Sequence, residues 1–82
     1  MNIYFTETAQ EHFDNLSQLY RRRISTKMRF FSAQSDPLKF AEPLTGSKKE
    51  YRFRIGDYRV IFEVINDTLW VTAIKRRDEA YK

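Results

Sequence analysis

The sequence predicts an α+β fold of order β-α-α-β-β-β, an antiparallel meander packed on an N-terminal helical hairpin. Three observations predict it. First, Tyr51–Arg76 alternates in three runs rich in β-branched and aromatic residues, joined by Gly56-Asp57 and Asn66-Asp67, which are two-residue connections of the kind that make tight hairpins. Second, apolar side chains recur between residues 9 and 31 at steps of three and four, the spacing of one helix face. Third, Ile3, Tyr4 and Phe5 make Asn2–Phe5 a short strand candidate.

With 82 residues the chain reads as one small domain, residues 1–82. A domain of this size buries somewhat over ~60% of its unfolded surface, so its core is thin but sufficient. The absence of cysteine excludes a disulfide framework and a cysteine zinc site, and makes the reducing cytoplasm the expected compartment. No apolar run approaches membrane-spanning length, and MNIYFTETAQE lacks the charged and apolar regions of a signal peptide. The net charge of +4 is unevenly spread: residues 1–20 hold three acids and no Lys or Arg, and residues 21–60 hold eleven basic residues against four acids. A basic patch beside aromatics suits a polyanion, with RNA or DNA first. A solvated basic surface accounts for the charge alone equally well.

After the first strand, Thr6 and Thr8 offer helix N-caps, and Thr8 with Glu11 fits a capping box. Ala9, Phe13, Leu16 and Tyr20 line one helix face, and the three early acids suit the positive end of the helix dipole. Ile24, Met28 and Phe31 continue the spacing, so a second helix is expected to run to about Ala33, with the hairpin broken near Tyr20–Arg23. The Arg21-Arg22-Arg23 run suits phosphates or a solvated helix face equally. Residues 34–49 lack a period and contain Pro37, Pro43 and Gly46, which predicts a surface loop with a turn near Asp36-Pro37.

The predicted strands are Tyr51–Ile55, Tyr58–Ile65 and Thr68–Arg76. Two-residue turns then set the register: Arg54 faces Arg59, Glu63 faces Trp70, Ile61 faces Thr72 and Arg59 faces Ile74. Alternation gives a dry face of Phe53, Ile55, Tyr58, Val60, Phe62, Val64, Leu69, Val71 and Ala73. The opposite face carries Arg52, Arg54, Arg59 and Arg76 with Ile61, Trp70 and Ile74. Like charges directly opposed in a sheet are unfavourable by a few tenths to ~1 kcal/mol per pair. An arginine cluster kept there looks like a phosphate site, because the guanidinium fork grips phosphate oxygens bidentately. The structural alternative is that Glu63, Asp57, loop acids or a protein partner neutralise it. His12, the only histidine, sits beside the core position Phe13 and reads as a helix residue with no acid–base role.

The segment YRFRIGDYRVIFEV, followed by a strand ending KRRDEAYK, resembles the RelE/ParE superfamily of toxins from toxin–antitoxin pairs. The order of elements is similar along nearly the whole chain. For the RelE branch the resemblance implies an endoribonuclease that cuts messenger RNA in the ribosomal decoding site. The ribose 2′-hydroxyl attacks its own 3′-phosphate, without a metal or other cofactor. The family's basic strand residues match Arg52 and Arg54; its arginine after the turn matches Arg59; its terminal arginine and tyrosine match Arg76 and Tyr81. By the same resemblance Arg54, Arg59 and Arg76 are expected to be catalytic, with Tyr81 stacking on a base. Arg52, Lys48, Lys49 and Arg77 are expected to bind RNA.

One departure matters. RelE toxins typically carry lysines on the first meander strand, and arginine is a poor general base at neutral pH. Glu42-Pro43-Leu44 is similar to a segment of the YoeB branch whose glutamate is the base, which makes Glu42 a candidate; a solvated loop glutamate is the plainer alternative. The resemblance also implies a cognate antitoxin as partner, together with ribosome and messenger RNA. The same fold serves ParE-type toxins that bind DNA gyrase and cleave no RNA, so fold alone does not separate the two activities.

Overall fold

The computed structural model describes residues 1–77; Tyr81 lies outside the described residues. The chain runs β1 (Asn2–Phe5), α1 (Glu7–Asp14), α2 (Gln18–Ser32), a 3-10 turn (Pro37–Phe40), β2 (Glu42–Pro43), β3 (Glu50–Ile55), β4 (Tyr58–Ile65) and β5 (Thr68–Arg76). One sheet results, in the order β1-β5-β4-β3-β2. The meander β3-β4-β5 is antiparallel as predicted; β2 adds an antiparallel edge beside β3, and β1 lies parallel to β5. The α+β class holds, with a short strand on either flank of the meander. Among the described residues no helix is long and apolar enough to cross a membrane.

The helical hairpin differs from expectation at two points. Thr6, not Thr8, caps α1: its hydroxyl accepts the Ala9 N–H at 3.2 Å, and the Thr8–Glu11 box does not form. The cause lies in the sheet. Thr6 donates its own N–H to the Val71 carbonyl at 2.9 Å, so the extended chain ends at Thr6 and the helix starts with the next residue. The break falls at residues 15–17, earlier than Tyr20–Arg23, with Asn15 closing α1 and Ser17 opening α2. Leu16 in the connection still packs on the core, so the apolar spacing runs through the break and does not reveal it. Arg21 then reaches back to the carbonyls of Asp14 and Leu16, satisfying acceptors that the end of α1 leaves open.

The dry face forms. Phe31 of α2 stacks on Phe53 with centroids 4.2 Å apart, and Phe53 stacks on Phe62 at 4.4 Å. Ala9, Ile24 and Met28 complete the helical side of a core shared with Val60, Leu69 and Val71. In the connection after α2, the Asp36 carboxylate accepts the Leu38 N–H at 3.2 Å, and Pro37 begins the 3-10 turn, at the predicted place. The two-residue strand β2 was too short to show any alternation in the sequence.

The register holds through the whole β3-β4 hairpin, from Ile55 opposite Tyr58 to Glu50 opposite Glu63. In the β4-β5 hairpin it holds from Ile65 opposite Thr68 as far as Phe62 opposite Val71. Beyond that point Ile61 pairs with Ala73 and Arg59 with Lys75. Thr72 is the extra residue of a β-bulge, and every side chain after it changes face. Ile74 therefore belongs to the core, opposite Val60 and 6% exposed. Arg76 lies opposite Tyr58, on the helix side of the sheet. The expectation that Arg76 and Ile74 share the arginine face, with Ala73 on the dry face, is corrected accordingly. The reason is a mismatch of lengths. β1 accompanies β5 only from Thr68 to Val71, so the outer edge of β5 then loses its strand neighbour. α1 fills the place: the Ile74 N–H donates to His12 Nδ1 at 3.1 Å.

Candidate active site

Successive rungs of the sheet set out the open face. Arg54 on β3, Arg59 on β4 and Lys75 on β5 form one rung nearest the Gly56-Asp57 turn. The next rung runs Glu42, Arg52, Ile61, Ala73 across β2 to β5. The third is Glu50, Glu63, Trp70 and Tyr4, where Trp70 and Tyr4 touch with ring centroids 5.2 Å apart. The face thus grades from three cations in a row to an acidic and aromatic rung.

Glu42 joins the first two rungs. Its Oε2 accepts a hydrogen bond from Arg52 Nη2 at 3.0 Å, and its Oε1 forms an ion pair with Arg54 Nε at 2.9 Å. The hydrogen bond from Arg52 is the chief cause that holds the Glu42 carboxyl below its ordinary value; partial desolvation opposes it, and the charges of Arg54, Arg52 and Arg59 lower it further. Arg59 is 2% exposed, on the central strand of the sheet. A buried guanidinium is tolerated only beside compensating groups, and the Glu42 carboxylate is one acid, among the described residues, whose titration is lowered by its charge. One carboxylate therefore stands where the fields of three arginines converge. In size, charge and fork-matching geometry it is a stand-in for one edge of a phosphate.

The structure brings Arg52, Arg54, Arg59 and Glu42 together on one face. Arg76 and Arg77 lie close by in a different way. Arg76 ends β5, and the Arg77 N–H donates to the Asp57 carbonyl at 2.7 Å, closing the strand end onto the β3-β4 turn. Lys48 and Lys49 are exposed just before β3, at its far end from Arg54. At ~3.3 Å of rise per strand residue that separation is on the order of 15 Å, so the structure does not gather them with the arginines. Tyr81 falls outside the described residues. Glu63 faces Trp70, as predicted.

Sequence reasoning missed Lys75, which it assigned to neither face, and it read His12 as a helix residue without foreseeing that its ring would accept the Ile74 N–H. The one available signal was the disparity between a four-residue β1 and a nine-residue β5.

A small α+β unit with a basic sheet face defines the class, and sequence comparison gives the family. The profile of the family described as the ParE toxin of type II toxin-antitoxin system, parDE, matches residues 3–81. The chain belongs to this family, within the RelE/ParE superfamily of type II toxins. No curated protein sequence matches it. Among solved structures, the RelB-RelE antitoxin-toxin complex from Methanococcus jannaschii is similar at a TM-score of 0.75 and 23% identity, over 95% of this chain and 94% of that one. The intact RelBE toxin-antitoxin complex of E. coli is similar at a TM-score of 0.75 and 18% identity, over 92% and 94% of the two chains. YafQ from E. coli is similar at a TM-score of 0.71 and 10% identity, over 99% and 98%. At these identities the similarity establishes the shared fold.

Proposed function

We propose that the chain is the toxin of a type II pair that cleaves messenger RNA, with the ribosomal decoding site as the place of action, and that a cognate antitoxin holds it in check. The observation that carries this reading is the Glu42 carboxylate bridging Arg52 and Arg54 within the field of Arg59. A site that grips one oxyanion through a fork of guanidiniums is suited to grip another. The scissile phosphate takes the place of Glu42. Arg54 and Arg59 then neutralise the charge that builds on the pentacoordinate phosphorus. The 2′-oxygen forms its bond to phosphorus, the bond to the 5′-oxygen breaks, and a 2′,3′-cyclic phosphate and a 5′-hydroxyl result. The departing 5′-oxygen takes a proton from solvent, and Tyr81 stacks on a base to splay the codon; Arg76, on the helix side of the sheet, serves the flanking RNA. Lys48, Lys49 and Arg77 serve the flanking RNA rather than the scissile phosphate.

Glu42 has two available roles. Clamped between arginines it is a weaker base than an ordinary glutamate; released by the incoming phosphate it regains basicity and takes the 2′-hydroxyl proton. The test is cleavage of messenger on programmed ribosomes with the ends mapped. Wild type cuts, Arg54→Ala and Arg59→Ala cut at least ~100-fold more slowly, the scale of losing one preorganised charge stabiliser. Glu42→Gln separates the roles: a base loses cleavage while RNA stays bound, and a mere counter-ion binds RNA more tightly and still cuts.

The family description favours a second reading, a ParE-type toxin directed at DNA gyrase. Uncut messenger together with gyrase-dependent DNA breaks would establish that reading in place of the first.

A further inference from the structure

Lys75 completes the cationic rung, and nothing in the sequence pattern puts it there. It stands directly opposite Arg59, is exposed, and lies on the strand that flanks the centre on the side away from Arg54. Arg59 itself is buried, so the solvent-facing cations of this rung are Arg54 and Lys75, one on either side. We propose that Lys75 binds a backbone phosphate of the RNA next to the one held by Arg52 and Arg54, and that His12 is the residue that positions it. The inference rests on the RNA-cleaving reading above.

The positioning follows from the edge of β5. With no strand beside it after Val71, the Ile74 N–H needs an acceptor, since an unpaired buried donor costs about 1–3 kcal/mol. Ile74 is in the core, so water is a poor substitute. His12 Nδ1 supplies the acceptor, which places the imidazole proton on Nε2. The bond fixes Ile74 two residues after the bulged Thr72, with its side chain inward. The next residue, Lys75, is then obliged to face outward beside Arg59. His12, Asn15, Ile74 and Lys75 together line an open hollow of about 290 Å³, so the histidine and the lysine share one recess at the sheet's end. The face change at the bulge is what selects Lys75 over Ile74 for this position.

The experiment is binding of a 2′-O-methylated single-stranded RNA oligomer, which cannot attack its own phosphate, followed by fluorescence anisotropy over a salt series. Each phosphate contact on a single strand contributes about 0.7 to the slope of log affinity against log salt. Lys75→Ala is expected to lower the slope by about that amount and Lys75→Arg to retain it. His12→Ala is expected to lower it equally, and His12→Asn, whose side-chain oxygen can accept the Ile74 N–H, to restore it. The double variant His12→Ala/Lys75→Ala loses no more slope than Lys75→Ala alone, because both changes remove one contact. A histidine with a purely structural role would lower the melting temperature and leave the slope untouched. Lys27→Ala, on the helix side of the sheet, is the control for general charge. Wild-type binding with Lys75→Ala indistinguishable from Lys27→Ala overturns the assignment. Wild type that neither binds the oligomer nor cuts messenger overturns the RNA-cleaving reading, and the role of Lys75 with it.

Discussion

Two hairpins share the central strand β4, and only one keeps the register its turn sets. β3-β4 pairs without interruption over six residue pairs, whereas β4-β5 breaks between Ile61 and Phe62. Both turns are two residues long, and both open with a left-handed residue: Gly56 at φ +59° and Asn66 at φ +49°. At the second residue they differ, since Asp67 is also left-handed at φ +61° and Asp57 is not, but both are two-residue hairpin turns that set the pairing next to them. What separates the strands farther along is their neighbours. β3 has only the two-residue β2 on its outer side, and nothing from the helices bonds its edge among the described hydrogen bonds. β5 has a parallel strand for half its length and a histidine for the rest. A turn dictates pairing close to itself; farther along, whatever satisfies the outer edge of the strand has its say.

The largest effect tests what the two hairpins hold in common. Phe53 sits in the middle of the ring stack, fully buried between Phe31 and Phe62. Phe53→Ala is expected to cost about 3–5 kcal/mol of folding stability, read by urea denaturation. A loss under ~1 kcal/mol would mean that the stack is not what presses α2 onto the sheet.

The next test concerns the open face, where β3 and β2 meet. Glu42 has its carboxyl held below the ordinary 4.5 by Arg52 first and then by the charges around it. An acid whose folded value is depressed stabilises the fold fully above its unfolded value, and that contribution disappears as pH falls through the folded value. The expected outcome is a stability that is flat above about pH 5 with respect to this group and declines below 4.5. Glu42→Gln should remove that part of the decline, measured by thermal unfolding between pH 3 and 7. An unchanged acid limb in the variant would show that the Arg52 and Arg54 contacts do not outlast solvent competition at a half-exposed carboxylate.

The sequence displayed the fold through its periods, and the candidate site through one hairpin only. Phe53, Val60 and Phe62 announced the dry face because alternation holds wherever pairing is regular. Arg52, Arg54 and Arg59 were legible for the same reason. Lys75 takes the place expected of Arg76 on that face because of a single inserted residue, Thr72, which carries no chemical mark in the sequence. Glu42 drew attention through resemblance, yet its bond to the arginines depends on β2, a strand of two residues with no period to read. The sequence offered both Thr6 and Thr8 as caps, and what decides for Thr6 is β5, an element distant in sequence; the helix break was hidden because Leu16 within it keeps the apolar spacing.

The smallest effect compares the turns themselves. Asn66 and Asp67 both lie at positive φ, +49° and +61°, which is the pattern of a type I′ turn. Asparagine tolerates this region well; aspartate does so at some cost, and glycine at none. Asp67→Gly is therefore expected to stabilise the chain, by less than about 1 kcal/mol, because the relief of backbone strain is offset by the freedom glycine gives the unfolded chain. At Gly56 the sign reverses. The residue is already glycine, a Cβ there would meet nothing within 4 Å, and so only the backbone conformation opposes a side chain. Gly56→Ala should cost about 1–2 kcal/mol, entirely through φ. If Asp67→Gly destabilised instead, the β4-β5 turn would owe its shape to contacts of the aspartate side chain. The hairpin that carries the bulge would then be held from outside at both ends, by Asp67 at its turn and by His12 beyond the bulge.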